Sequence, residues 1–175
     1  MAAWASFEAP GKADGSPMDE VVLRLRFTQA SLGAARRKEG SDIVFAMLRN
    51  PDGQVMFLPT WWRSISRFAA TVLNVPTELV ARVEWDPAVD GITGRWRRYF
   101  PQENGEPTVR RRYALHEAFL KGEMIGVNCV LPQGLMVDQF WRLMDTAGRY
   151  KGISPYKPGQ YGTFQVVEVQ QRRWR

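Results

Sequence analysis

Apolar and polar positions alternate along "EVVLRLRFTQASL", where Val22, Leu25 and Phe27 stand among arginines. This stretch of β-formers predicts a first strand, interrupted at the basic break "GAARRKEG". In "SDIVFAMLRNPDGQVMFLPT" two apolar runs flank Asn50-Pro51-Asp52-Gly53, a proline fixing φ beside a glycine free to take positive φ, which predicts a β-hairpin. The period then changes. Trp61, Trp62, Ile65, Phe68, Ala69, Val72 and Leu73 recur at helical spacing, with Thr60 as the expected N-cap, Pro76 past the end, and Arg63 and Arg67 on the opposite face. "TELVARVEW" reads as a short strand.

Periodicity weakens over residues 86–112, where turn residues and two arginine clusters predict long loops or an excursion hairpin. "YALHEAFLKGEMIGVNCVLP" resumes β character, strongest over Met124–Leu131. "MVDQFWRLMDTAG" returns to helical spacing through Val137, Phe140, Trp141 and Met144, with Gly148 as its expected end. "YGTFQVVEV" alternates as a last strand. Residues 1–19, rich in Ala, Gly, Pro and Ser, read as a flexible arm; 20–170 as one domain with an irregular basic excursion over 86–122; and 171–175 as a basic tail. The order of elements fits an α+β, ferredoxin-like fold of duplicated β-α-β halves, with two main helices on one face of an antiparallel sheet and hairpin excursions.

Composition narrows the function classes. The 175 residues are 45% hydrophobic with seven tryptophans, enough for a core, and no apolar run reaches the length of a membrane span. A cytoplasmic protein without membrane contact is expected. One cysteine, Cys129, and one histidine, His116, exclude an internal disulfide and offer no zinc-site cluster, and no cofactor is implied. The net charge of +6 comes from arginine far more than lysine, and guanidinium forks suit phosphates and stack on bases.

The cations are interleaved with aromatics. "GRWRRYF" and "VRRRY" bring Arg95, Arg97, Arg98, Arg110, Arg111 and Arg112 beside Trp96, Tyr99 and Tyr113, a combination used for salt-sensitive phosphate contacts and base stacking. On a hairpin, alternation would divide these side chains between two faces. "GRYKGISPYKPGQYGTF" adds Lys151, Lys157, Tyr150, Tyr156 and Tyr161 among glycines that allow close backbone approach, a phosphate-and-base cradle or, as the structural alternative, a crowded turn whose tyrosines simply pack. No Gly-Lys-Ser/Thr follows at P-loop spacing. Trp61 and Trp62 fall in line with core positions.

The helix "MVDQFWRLMDTAGRY", the loop "KGISPYKPGQYGTF" and the strand "QVVEV" together resemble the glycine-rich loop that closes proteins of the CRISPR RAMP superfamily, the crRNA-binding and crRNA-processing proteins. "LRFTQASLG", "NPDGQVMFLP" and "TWWRSISRFAATVLN" are similar to pieces of small bacteriophage proteins that share this loop. The resemblance implies a ferredoxin-like or RRM-like core, binding of single-stranded nucleic acid with RNA as the default, homo-oligomers or protein complexes that tile a strand, and a phage origin. Here Gly152, Gly159 and Gly162 are spread out, where the superfamily crowds its glycines. Some RNA-processing relatives use a histidine as general acid or base, which makes His116 the candidate for catalysis; with no second group at defined spacing, binding without turnover is the expected activity. A metal-independent RNA endonuclease, and a phage protein-interaction factor acting on a host or CRISPR complex, are the alternatives.

Overall fold

The computed structural model describes residues 19–100 and 112–172. Arg110, Arg111, the expected arm up to residue 18 and the end of the tail lie outside these residues. The chain runs β1 (Asp19–Phe27), β2 (Ser31–Leu32), β3 (Ala35–Glu39), β4 (Asp42–Ala46), α1 (Pro59–Leu73), α2 (Thr77–Ala81), β5 (Glu84–Asp90), β6 (Gly94–Tyr99), β7 (Tyr113–Phe119), β8 (Met124–Leu131), α3 (Val137–Tyr150) and β9 (Phe164–Arg172).

Four strands make one antiparallel sheet in the order β5-β8-β1-β9. β1-α1-β5 and β8-α3-β9 are each split by a strand of the other, the ferredoxin-like plan. The pleat of β1 sends Val21, Leu23, Leu25 and Phe27 into the core, while Arg24 and Arg26 point away. α1 buries Trp62, Ile65, Ala69 and Ala70, and α3 buries Phe140, Leu143, Met144 and Ala147, spacings that give each helix one apolar stripe. Trp62 of α1 stacks on Trp85 of β5 with ring centroids 4.9 Å apart, pinning helix to sheet. No helix among the described residues is long and apolar enough to cross a membrane.

A second sheet grows from the excursions. β7 pairs antiparallel with β6 along one edge, and along the other with β2 and, in parallel, with β4, which pairs in turn with β3. Phe119, at the end of β7, stacks on Phe27 at 5.7 Å and so ties this sheet to the main core.

Several local expectations are corrected. The hairpin around Asn50–Gly53 is a turn closed by a single bridge, Arg49↔Val55, with Gly53 at φ 81°. The strand before it pairs with the supposed break: Ala35–Glu39 is an exposed charged edge strand that turns at Gly40 into β4. Its sequence, ARRKE, has no apolar alternation because neither face is buried, so pairing alone makes it a strand. Thr60 is not the N-cap. α1 starts at Pro59, whose fixed φ and missing N–H suit a first turn. "TELVA" is the short helix α2 behind Pro76, and only the residues from Glu84 form a strand. Gly148 lies inside α3 against the Phe164 ring; the helix ends at Tyr150 with Lys151 as its C-cap, followed by Gly152 at φ 67°.

Candidate nucleic-acid interface

The helix-free face of the ferredoxin-like sheet does not hold the arginine–aromatic groups. Arg24 there lies 3.9 Å from Glu168, Arg26 contacts Met124, and the aromatics of the four strands, Phe27, Trp85 and Phe164, all face the core. An RRM-like stacking platform on this face is therefore absent among the described residues.

The arginines and aromatics gather on the second sheet, where the pleat sorts them. In register, Trp96 lies opposite His116 and Arg98 opposite Ala114, and the bond from the Phe100 N–H to the Arg112 carbonyl carries the register one step further. Across the sheet Phe45 lies opposite His116, Arg36 opposite Phe45 and Lys38 opposite Ile43. One face thus presents Arg36, Lys38, Arg98 and Arg112 with Phe45, Trp96 and Phe100. No Asp or Glu stands on it among the described residues. Arg36, Lys38 and Arg112 are exposed.

The other face carries the alternate residues, and there Glu39 holds both Arg37 and Arg95. Glu39 takes ion pairs from Arg37 and, at 3.0 Å, from Arg95, and the Arg37 hydrogen bond leads in holding the Glu39 carboxyl below the usual carboxylate range. Glu117, opposite Arg95, accepts the Met47 N–H at 2.9 Å, the Thr93 hydroxyl at 2.9 Å and Arg49. Burial would raise its pKa, but these three partners outweigh burial and lower it. Arg97 lies over Tyr113 at 5.0 Å, and Tyr113 packs against Tyr99. Of the residues singled out in "GRWRRY", then, Arg98 is on the acid-free face, and Arg95, Arg97 and Tyr99 are on the opposite one.

The glycine-rich loop leans on the acid-free face. Tyr156 meets His116 edge-to-face at 5.1 Å and Tyr161 at 5.8 Å, while the Arg98 guanidinium lies 4.7 Å from the Tyr156 ring and 5.0 Å from Phe100. His116 is fully buried and stacked on Phe45 at 5.0 Å. Its Nδ1 donates to the Gly33 carbonyl at 2.7 Å, leaving Nε2 to accept the Arg98 Nε–H at 3.2 Å. Burial pulls its pKa down; the Gly33 bond opposes this and the Arg98 charge adds to it. Both nitrogens are occupied inside the protein, and the imidazole holds Arg98 in place.

The loop glycines serve the chain's own packing. A Cβ on Gly152 would sit 2.5 Å from the Gly162 carbonyl carbon, and one on Gly162 would collide with the Ile153 carbonyl; both residues have positive φ. Hydrogen bonds fasten the loop to the segment after β1: the Gly162 N–H to the Ala30 carbonyl at 2.8 Å, the Tyr156 N–H to the Leu32 carbonyl at 3.0 Å, and the Ser31 hydroxyl to the Ile153 carbonyl at 2.8 Å. Close backbone approach here is made to the protein itself. Lys151 and Lys157 turn away from Tyr156, lying over Phe68 at 4.7 Å and Trp61 at 5.7 Å on α1.

Sequence reading missed Arg36, Lys38, Phe45 and Phe100. The signal for the first two was present in "ARRKE", whose alternate positions share a face once the segment is recognised as a strand. Among the described residues no group of three His, Cys, Asp or Glu side chains is placed to hold a metal ion. Cys129 is buried, and burial pushes its thiol pKa up.

No family model and no curated protein matches the chain. Among solved structures it is similar to a chain in the cryo-EM structure of the Type III-B Cmr-beta bound to cognate target RNA, at a TM-score of 0.58 and 9% identity, covering 87% of this chain. This chain spans 60% of the length of that one. At such identity the likeness is one of fold alone.

Proposed function

We propose that this protein binds single-stranded nucleic acid without cleaving it, on the face of the β3-β4-β7-β6 sheet that carries Arg36, Lys38, Arg98 and Arg112. One observation carries this reading: alternation puts cations and aromatics on that face with no carboxylate among the described residues, while on the opposite face Glu39 holds Arg37 and Arg95, and Arg97 lies over Tyr113. Phosphates pair with guanidinium and ammonium groups, and unpaired bases stack on exposed aromatic rings such as Phe100. RNA is the expected ligand, since the structural neighbour is described with target RNA bound, and assembly of this protein with further copies or subunits along a strand is part of the same proposal. His116 serves as a positioning residue for Arg98, which fits binding without turnover.

The test is binding of matched labelled RNA and DNA oligomers across a salt series. Affinity should fall steeply with salt, and Arg36→Ala with Arg112→Ala should flatten the log–log slope by about 1.4, from ~0.7 per phosphate contact on a single strand. Undetectable or salt-independent binding overturns the proposal and points to a protein partner.

A further inference from the structure

A second cationic surface lies on the helical layer, away from the sheet face. A shallow groove of about 590 Å³ runs along α1, lined by Thr60, Arg63, Ser64, Arg67, Phe68 and Thr71. Arg63 and Arg67 are exposed, one helical turn apart, and neither has a carboxylate partner among the described residues. α1 contains no Asp or Glu at all, so nothing on the helix competes for its guanidinium groups. Its first turn also lacks an acidic residue, leaving the positive end of a 15-residue helix without a countercharge. The glycine-rich loop brings two more cations against the same helix: Lys151 lies over Phe68, which lines the groove, and Lys157 over Trp61, the chain neighbour of Thr60. A cation resting on an aromatic ring keeps its charge, so all four groups remain open to an anion. Thr71 gives its hydroxyl to the Arg67 carbonyl at 3.2 Å, whereas Thr60 and Ser64 bond nothing among the described residues and are free to donate.

We infer that this groove is a phosphate-binding site, with Arg63 and Arg67 in its lining and the two loop lysines held on aromatic rings of the same helix. Two lining guanidinium groups, two free hydroxyls and no carboxylate match a phosphate group's charge and its several acceptor oxygens. Tyr156 and Lys157 are sequence neighbours that turn to opposite sides of the loop, one to the sheet face and one to α1. In the setting of the proposed function, on which this part rests, a strand leaving the sheet face beside Tyr156 crosses the loop and lays a backbone phosphate in the groove. A free polyphosphate would use the same groups.

Two measurements separate the groove from the sheet-face reading. The first titrates inorganic tripolyphosphate into the protein and follows backbone amide NMR shifts of residues 60–67 and 151–157. Saturable shifts are expected there, and Arg63→Ala with Arg67→Ala should abolish them. The second compares single-stranded RNA binding of that double variant with wild type, where the log–log salt slope should fall by about 1.4. Tripolyphosphate binding without RNA binding keeps the groove as a free-polyphosphate site and defeats the nucleic-acid reading. RNA binding with wild-type slope in the double variant, together with no saturable tripolyphosphate shifts, overturns the groove and leaves the sheet face standing. A wild type that binds neither overturns both.

Discussion

Arg98 donates its Nε–H to Nε2 of His116 across 3.2 Å, and that bond exists only while the imidazole is neutral. A protonated ring would turn a second N–H toward the guanidinium. Burial lowers the His116 pKa, so between that lowered value and about 6.5 the unfolded chain binds a proton that the folded one does not. The stability contribution is therefore complete above about pH 6.5 and is lost as pH falls through the window below it. His116 is the chain's only histidine, which makes the expected fall in thermal midpoint traceable. His116→Gln should lower stability near pH 7.5 by about 1–3 kcal/mol, the range for disturbing buried hydrogen bonds, and should remove most of the change between pH 6.5 and 5.5. An undiminished slope in the variant would show that another group titrates there.

Glu117 acts in a separate, more acid range. Its pKa is lowered by the Met47 N–H, Thr93 and Arg49 against the opposing effect of burial, so its contribution is present above about pH 4.5 and lost as pH falls through the lowered value. The carboxylate joins β7 to the segments at Met47 and Thr93, behind the proposed binding face. Glu117→Gln leaves at least one donor facing an amide N–H₂ and should cost about 1–3 kcal/mol in urea unfolding. Arg49→Ala should cost less, because that side chain is 36% exposed and water replaces its bonds. Equal losses in the two variants would mean that the pair, and not the carboxylate's other partners, carries the energy.

The loop glycines predict a graded series. Gly162→Ala both forces an L-residue to φ 78° and drives a Cβ into the Ile153 carbonyl, so it should cost more than the ~1–2 kcal/mol of a left-handed backbone alone. Gly159→Ala, at φ 88°, meets only the Tyr161 ring, a side chain with room to shift, and should show little beyond the backbone cost. Thermal unfolding of the two variants checks the order. Were Gly159→Ala the worse of the two, the glycines would serve something other than the packing of the loop onto Ala30 and Leu32.

The ferredoxin-like plan was legible because α1, α3 and β1 each bury one face, and burial on one face writes a period into the sequence. β3 was not legible for the converse reason: ARRKE is exposed on both sides and carries no period. That single omission hid the site's charge balance. "GRWRRYF" shows by alternation that Arg95 and Arg98 part company, but Glu39, the residue that holds Arg95 and Arg37 on one face, comes from the strand that read as a break. The same strand contributes Arg36 and Lys38 to the other face. His116 drew notice as the only imidazole, whereas its role depends on Gly33 and Arg98, distant in sequence and joined only by the pairing of β7. The loop's glycines were legible as close-approach positions, but sequence gave no sign that the approach is to the chain's own backbone.

Arg36 and Arg37 are neighbours on β3 that point to opposite faces, and this makes the sharpest test of the proposed interface. Arg36 lies opposite Phe45 on the acid-free face, while Arg37 lies opposite Val44 and pairs with Glu39. Arg36→Glu and Arg37→Glu change the net charge equally and at nearly the same point, so long-range attraction of a polyanion falls by the same amount in both. Only direct contact tells them apart. Arg36→Glu should weaken binding of a single-stranded oligomer by roughly tenfold or more near 0.1 M salt and reduce the log–log salt slope by about 0.7, the release expected for one phosphate contact. Arg37→Glu should leave the slope at its wild-type value, because its guanidinium is already held by a carboxylate and faces away from the strand. Equal losses in the two variants would mean that the protein attracts polyanions through net charge alone, and the division of faces would then have no part in recognition.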